Sequence, residues 1–204
     1  MLNNFNPFTW GVREILDFII SLIIALIIVI PFRFFVAEPY IVQGASMSPN
    51  YTTGDYIIVN KFSGYITKPE RGDVLVFVPP SERKNSWKNF FPIIDKRVKY
   101  IKRVIGLPGE TLKIEDKKVF IKKEGSDVFL ELRDDFVKND NLTINQEIIL
   151  KEKEYFMLGD NRGNSYDSEE WGPILYSDIV GEPVLRLLPF DNFGLKPANE
   201  KFDF

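Results

Sequence analysis

A long apolar run near the N-terminus restricts the structures that the first part of this chain can form. Residues 18–37 are almost wholly apolar. The main exceptions are Ser21, Pro31 and Arg33. Twenty residues of α-helix rise about 30 Å, which matches the hydrocarbon thickness of a bilayer. The sequence therefore predicts a transmembrane anchor over residues 17–37, after an N-terminal tail over residues 1–16.

A cleaved signal peptide is the alternative interpretation of this run, because residues 18–30 alone have the length of a signal-peptide apolar region. Such peptides carry small residues at positions −3 and −1. Cleavage after Ala37 would place the bulky Phe35 at −3, so an uncleaved anchor is favoured. Arg13 and Arg33 lie near opposite ends of the run, and the positive-inside rule leaves its orientation open.

The residue types that are missing exclude several kinds of active site. The chain has no histidine and no cysteine, so it cannot hold a Ser-His-Asp triad, a Cys-His dyad or a zinc-thiolate cluster. Any nucleophilic chemistry must use a lysine, an aspartate, a glutamate or the N-terminus as its base. The net charge of −3 gives no indication of a nucleic-acid partner.

Past residue 40 the pattern is typical of short β-strands. Alternating or β-branched runs predict strands at residues 40–43, 55–60, 74–78, 97–105, 118–122 and 155–158. Turn-forming Gly, Pro and Asp residues separate them. We find no sustained 3.6-residue apolar period, so we expect a mainly β protein. Residues 111–154 are more polar and charged, which predicts a small inserted β subdomain.

The segment between two predicted strands, residues 81–96, is too long for a tight hairpin turn. Residues 79–103 contain eight basic and two acidic side chains, and Trp87, Phe90 and Phe91 lie among them. Two interpretations remain open. The segment is a solvated loop with a few core aromatics, or it is a surface that rests on the anionic headgroups of a lipid bilayer.

A candidate nucleophile lies in the sequence Gly-Ala-Ser-Met-Ser-Pro at residues 44–49, directly after a predicted strand. Gly44 permits a sharp turn, and Pro49 restricts the backbone of the residue before it. Ser46 on such a turn would be exposed and fixed, as a nucleophile must be. By itself this pattern is also typical of an ordinary loop.

A candidate base lies in the strand predicted over residues 97–105. Alternate residues of a strand share a face, so Lys102 is in phase with Val98, Tyr100 and Val104. The other basic residues fall on the opposite face: Arg97, Lys99 and Arg103. Lys102 either extends past apolar neighbours to water or is desolvated. Desolvation that lowered its pKa from about 10.4 to about 7.4 would make the neutral amine common.

A dense polar segment, residues 159–168, reads Gly-Asp-Asn-Arg-Gly-Asn-Ser-Tyr-Asp-Ser. This composition is typical of a turn cluster whose side chains bond its own backbone. It would also suit a loop that orients a lysine amine by a hydroxyl. The ligand spacing of an EF-hand is absent, so we predict no metal site here.

Taken in order, these segments resemble the type I signal peptidase family. The serine motif at residues 44–49 is followed by Gly54-Asp55, and Arg-Gly-Asp-Val-Leu-Val-Phe follows at residues 71–77. The lysine motif, Tyr-Ile-Lys-Arg-Val-Ile-Gly-Leu-Pro-Gly-Glu, occupies residues 100–110, and the polar segment at residues 159–168 completes the series. The resemblance covers nearly the whole chain past residue 30.

The resemblance implies a Ser–Lys dyad in an antiparallel β-sheet catalytic domain. Ser46 matches the nucleophile and Lys102 the general base. Ser165 matches a serine that hydrogen-bonds the lysine amine, and Asp167 a carboxylate that supports the site. Some family members hold the oxyanion with a serine hydroxyl at the position of Gly44, which here leaves only a backbone donor or water.

The resemblance also implies domain boundaries. The chain departs from the family at a second position, after Ser168. The catalytic domain would comprise residues 38–110 and 155–204, and the subdomain at residues 111–154 would be small. Many relatives have an arginine after the motif that ends at Ser168, where this chain has Glu169. Any cation that pairs with Asp167 must therefore lie elsewhere, and Arg162 is the candidate.

The implied substrate is an exported preprotein with small residues at −1 and −3, bound extended beside a strand. We expect no cofactor. The expected pocket residues follow from position alone: Tyr40, Val42, Met47, Ile57, Tyr100 and Ile101. The family places such a catalytic domain on the extracytoplasmic side of the plasma membrane, on a single-pass anchor.

Two other functions are compatible with these residues. The first is a related Ser–Lys peptidase that matures one dedicated substrate, such as a conjugation or organelle inner-membrane processing enzyme. The second is a membrane-anchored β domain that binds extended peptides without cutting them. Retention of both Ser46 and Lys102 argues against the second.

Overall fold

The N-terminal apolar run forms one long helix, α1, over Val12–Phe35. The computed structural model describes residues 11–62, 66–83, 97–133, 137, 142 and 145–198. Within these, Val12–Phe32 is long and apolar enough to cross a membrane, and its apolar window is not buried inside the protein. The helix begins before residue 17, and Glu14 in its first turn accepts a hydrogen bond from the N–H of Gly11.

The larger of two antiparallel sheets carries the serine and lysine motifs. Its eight strands are β1 (Ala37–Ile41), β2 (Tyr56–Asn60), β3 (Val74–Phe77), β4 (Tyr100–Gly106), β9 (Glu154–Leu158), β10 (Ile174–Leu175), β11 (Ile179–Leu188) and β12 (Gly194–Leu195). They lie in the order β1-β2-β11-β3-β4-β9-β10, and β12 pairs with β11. The prediction of a mainly β protein is confirmed.

The smaller sheet comes from the polar region that follows β4. Its four strands are β5 (Thr111–Glu115), β6 (Lys118–Lys122), β7 (Leu130–Glu131) and β8 (Gln146–Ile149). They lie in the order β7-β6-β5-β8. One cluster of buried side chains joins it to the larger sheet, because Leu112, Ile114 and Ile121 pack with Ile105 of β4 and Phe156 of β9.

Gly106, the last residue of β4, allows this junction. A Cβ atom there would meet Leu112 Cδ1 at 2.4 Å and Leu150 Cδ1 at 2.7 Å, so no larger residue fits without a shift. The two sheets therefore approach closely where β4 ends and β5 is about to begin.

Some elements differ from the sequence prediction. β4 begins at Tyr100 rather than at residue 97, and Val98 is 52% exposed. β11 was not predicted, because Gly181 and Pro183 interrupt its alternating pattern. It nevertheless lies between β2 and β3 in the sheet. Most of the segment at residues 81–96, including its aromatic side chains, lies outside the described residues.

Candidate active site

Ser46 lies on a compact turn between β1 and β2. The N–H of Ser48 donates to the carbonyl of Ala45 at 3.1 Å, and the N–H of Tyr51 donates to the carbonyl of Met47 at 2.8 Å. These bonds fix the backbone on both sides of Ser46, whose side chain is partly exposed. The sequence thus folds this segment so that a hydroxyl is held at the surface on a rigid support.

Gly44 enters this turn with a φ of 96°, which a residue with a side chain rarely adopts. Its N–H donates to Thr53 Oγ1 at 3.0 Å, and the Thr53 hydroxyl donates to the carbonyl of Gly44 at 3.1 Å. The N–H of Gly44 is therefore used within the protein. A serine at this position would need the same unfavourable backbone conformation.

Lys102 lies in the middle of β4 and is only 4% exposed. It pairs in register with Leu75 of β3, and its Nζ lies 5.9 Å from the centre of the Tyr100 ring. Burial lowers the pKa of Lys102 from 10.5 to about 8, while the charges of Asp167 and Asp160 act to raise it. Desolvation dominates, so a sizeable fraction of this amine is neutral near physiological pH.

The loop after β9 contacts the serine turn at its backbone. The N–H of Asn161 donates to the carbonyl of Ser46 at 3.0 Å, and the Asn161 side-chain amide donates to the carbonyl of Ala45 at 3.1 Å. A Cβ atom on Gly159 would lie 2.5 Å from the Ser46 carbonyl oxygen and 2.2 Å from Ser165 Oγ. Glycine at this position therefore lets the segments of both serines approach the same point.

Ser165 and Asp167 lie at the far end of this loop. The Oγ atom of Ser165 is buried and has no hydrogen-bond partner among the described residues. Asp167 is fully buried and accepts hydrogen bonds from the N–H of Gly159 at 3.0 Å and of Glu169 at 3.2 Å. Arg162 is also buried, and its Nε donates to the carbonyl of Gly159 at 3.1 Å. The loop thus brings an unsatisfied hydroxyl and a carboxylate close to the serine turn.

Sequence reasoning missed the ion pair beneath this site. Arg103, next to Lys102, is fully buried and binds Asp160 through two hydrogen bonds of 2.7 and 2.6 Å. Its Nη1 donates to the carbonyls of Gly72 at 2.8 Å and Ala198 at 2.7 Å. In the sequence, Arg103 stands out as a second cation beside Lys102 among apolar residues. The acidic residues of the polar loop were the clue that this cation could be paired.

A groove with a cavity of about 320 Å³ opens beside Ser46. It is lined by Tyr40, Ile41, Val42, Gln43, Ser46, Ile57, Val76, Val98, Lys99, Tyr100 and Ile101. Five of the six expected pocket residues lie in this wall. Met47 does not, because its side chain is 1% exposed and packs into the core with Tyr51 and Val59.

The arrangement combines a fixed surface hydroxyl, a largely desolvated amine and an adjoining apolar groove. A hydroxyl of this kind becomes nucleophilic when a neutral base accepts its proton. The fixed hydroxyl, the desolvated amine and the groove together suit covalent catalysis of acyl transfer by amino-acid side chains.

Comparison with known proteins gives a consistent result. The family model "Signal peptidase, peptidase S26" matches residues 15–188. The chain is 36% identical over 192 residues to signal peptidase I P of Bacillus subtilis subsp. natto, covering 87% of this chain and 91% of that protein. It is 31% identical to probable signal peptidase I-1 of Synechocystis sp., covering 95% of this chain and 92% of that protein.

A solved structure also matches. The crystal structure of a signal peptidase I from Enterococcus faecalis V583 is 28% identical, with a TM-score of 0.42. The match covers 57% of this chain and 97% of that one.

Proposed function

This chain belongs to the signal peptidase family, peptidase S26, and is a serine endopeptidase; on that premise we propose that it removes signal peptides from exported preproteins with Ser46 as nucleophile and Lys102 as general base. The observation that carries the proposal is the burial of Lys102. At an ordinary pKa only about one lysine in a thousand is neutral near pH 7.4, whereas at a pKa of about 8 about one in five is.

The first chemical step forms an acyl-enzyme. Neutral Lys102 accepts the proton of Ser46 Oγ as that oxygen attacks the carbonyl carbon of the scissile peptide. The C–N bond then breaks, and the lysine ammonium gives its proton to the leaving amine. Because the N–H of Gly44 already donates to Thr53, the N–H of Ser46 is the donor we assign to the oxyanion.

The second step releases the signal peptide. Lys102, neutral again, accepts a proton from a water molecule that attacks the ester carbonyl. The ester C–O bond breaks, Lys102 returns the proton to Ser46 Oγ, and the signal peptide leaves with a new carboxylate. Ser165, whose buried hydroxyl lacks a partner in the described part of the chain, is the group we assign to hold the lysine amine during both steps.

The groove supports a preference for small residues at −1 and −3. Its walls include the side chains of Ile57, Val76 and Ile101, which are held in the sheet and present an apolar surface beside Ser46. An extended substrate would lie along the strand ends at residues 40–43 and 98–101. We expect cleavage after Ala, Gly or Ser and refusal of Phe at −1.

The helix α1 supports a membrane anchor for this catalytic domain. Its apolar side chains are largely exposed in the described part of the chain, and a bilayer would bury them. The domain that follows would then act on preproteins at the membrane surface. We assign it to the extracytoplasmic side, where a signal peptide has already crossed and its cleavage site is accessible.

The test is cleavage of a model preprotein with Ala at −1 and −3 by the full chain in detergent. Ser46→Ala and Lys102→Met should each lower kcat/KM by at least about 10³-fold, since each removes a group that acts chemically. Ser48→Ala, on the same turn, and Lys113→Met, on the smaller sheet, are matched controls that should stay within about twofold. Substantial turnover by purified, folded Ser46→Ala would refute the nucleophile assignment.

A further inference from the structure

Asn50 connects the serine turn to the polar loop after β9. Its side-chain amide, Nδ2, donates to Oδ2 of Asp160 at 2.8 Å, between residues 110 positions apart in sequence. Its backbone carbonyl accepts a hydrogen bond from the guanidinium of Arg186 in β11. One residue, four positions after Ser46, therefore fixes the end of the turn both to the loop after β9 and to β11.

The carboxylate that Asn50 contacts is itself held rigidly. Asp160 is 1% exposed and Arg103 is fully buried, and the two are joined by the paired hydrogen bonds described above. Buried, bidentate pairs of this kind have a well-defined geometry. Because Arg103 adjoins Lys102 in β4, the position of Asp160 is coupled to the strand that carries the base.

We propose that Asn50 is a positioning residue that sets the placement of Ser46 relative to Lys102. The path runs from the serine turn through Asn50 and Asp160 to Arg103, and so to β4. The path joins the serine turn to β4 by hydrogen bonds, and it reaches β4 through Arg103, whose side chain points to the face opposite Lys102 because neighbouring side chains of a strand alternate.

The chemistry of an amide suits this role. Asp160 already acts to raise the pKa of Lys102, and Arg103 balances the Asp160 charge. A neutral donor at residue 50 satisfies a carboxylate oxygen without adding a charge near the base. An aspartate there would remove the donor and place a second carboxylate against Asp160, which would favour the protonated lysine.

This inference rests on the proposed function, and it predicts a distinct kinetic signature. Asn50 does not line the groove, so substrate binding should be largely unaffected by its loss. Misplacement of the nucleophile by a fraction of an ångström lowers the rate of the chemical step. We therefore expect a loss in kcat with little change in KM, and no movement of the acidic limb of the pH profile.

The experiment compares Asn50→Leu, which keeps the branched shape of the side chain but has no donor, with Asn50→Thr, which keeps a donor. In the full chain in detergent, Asn50→Leu should lower kcat by about 10- to 100-fold with KM within about twofold. Asn50→Thr should recover part of that loss. The matched control is Asn60→Leu at the end of β2 far from the serine turn, where the amide oxygen accepts from the N–H of Phe62 and kcat should not change.

Folding is checked for each variant by its unfolding temperature, and Asn50→Ala replaces Asn50→Leu if the latter does not fold. A folded donorless variant with wild-type kcat would overturn the inference. So would equal losses in the Leu and Thr variants, or a loss that appears in KM alone. Ser46→Ala, measured beside them, separates the two claims: its activity would refute the proposed function, whereas an inactive Ser46→Ala with an unaffected Asn50→Leu would refute only the role of Asn50.

Discussion

Charged side chains are placed differently in the two sheets of this protein. In the smaller sheet the cluster of buried side chains is apolar, and the ion pairs lie in solvent: Lys113 with Glu115 at 2.7 Å and Lys118 with Glu131 at 2.8 Å, all at least 36% exposed. The larger sheet and the loop after β9 instead bury a set of charged residues. These are Asp55, Lys102, Arg103, Asp160, Arg162, Asp167 and Arg186.

The contrast separates the smaller sheet, whose packing contributes stability, from the larger sheet, which carries the residues that we propose for the chemistry. Exposed ion pairs contribute little free energy, so the smaller sheet is held mainly by its apolar side chains. A buried charge is unfavourable unless it is paired. Arg103 pairs with Asp160 and Arg186 with Asp55, but Lys102 forms no ion pair with any described residue. The buried Lys102, unpaired among the described residues, therefore destabilises the larger sheet at the position that we propose for the base.

The largest effect that would distinguish the two regions is expected for Lys102→Arg. Arginine keeps the positive charge but does not lose its proton at any useful pH, so kcat/KM should fall by at least about 10³-fold, as for a variant without the amine. Lys113→Arg in the smaller sheet should be indistinguishable from wild type. Retained activity in Lys102→Arg would mean that Lys102 acts through its charge rather than as a base.

A substitution in the apolar cluster tests whether the smaller sheet contributes to stability and not to activity. Ile121 is fully buried in the apolar cluster, and Ile121→Ala should lower the free energy of unfolding by about 2–5 kcal/mol. At a temperature where the variant is folded, kcat should stay within about twofold of wild type. Denaturant unfolding and preprotein cleavage measure the two quantities. A large loss of kcat in the folded variant would show that the smaller sheet also shapes the active site.

Lys102→Met should make the protein more stable while making it inactive. Because burial lowers the pKa of Lys102 from 10.5 to about 8, its charged form is destabilised in the folded state by about 3 kcal/mol. The folded state binds fewer protons between these two values, so wild-type stability rises with pH across that window. The gain from Lys102→Met should be full below about pH 8 and shrink toward pH 10.5. Equal gains at pH 7 and pH 10.5 would contradict the linkage.

The smallest expected effect concerns Asp167, whose charge raises the pKa of Lys102. Asp167→Asn keeps an acceptor for the N–H of Gly159 but removes the charge. The acidic limb of kcat/KM, expected near pH 8 in the wild type, should move to lower pH by less than about one pH unit. Movement to higher pH would exclude Asp167 as the group that raises this pKa.

Local patterns pointed to the residues that we propose for the chemistry more readily than to the residues that hold them in place. Alternation along β4 placed Lys102 on the same face as Tyr100 and Val104, and a turn was expected around Ser46. The same alternation could not show that Arg103, on the opposite face, is also fully buried, because its partners are Asp160 and the carbonyls of distant residues.

The central strand β11 was missed for a related reason. Gly181 allows a close approach to the backbone of Asn60, whose carbonyl oxygen would lie 2.1 Å from a Cβ atom at that position. Pro183 falls where β11 pairs with β2, next to a shift in register. Both residues lower the strand signal in sequence, and each is accommodated by a neighbour that is remote in the chain.

The position of β11 also bears on when, during synthesis of the chain, the candidate site can form. The serine turn lies between β1 and β2 and Lys102 lies in β4, and β11 pairs with both β2 and β3 in the larger sheet. During translation, a nascent chain that has not yet emerged past Leu188 has both residues of the proposed dyad but lacks the complete strand β11 that pairs with β2 and β3. We therefore expect assembly of the site to be a late, non-local event, and a growing chain to be inactive until its C-terminal part is made.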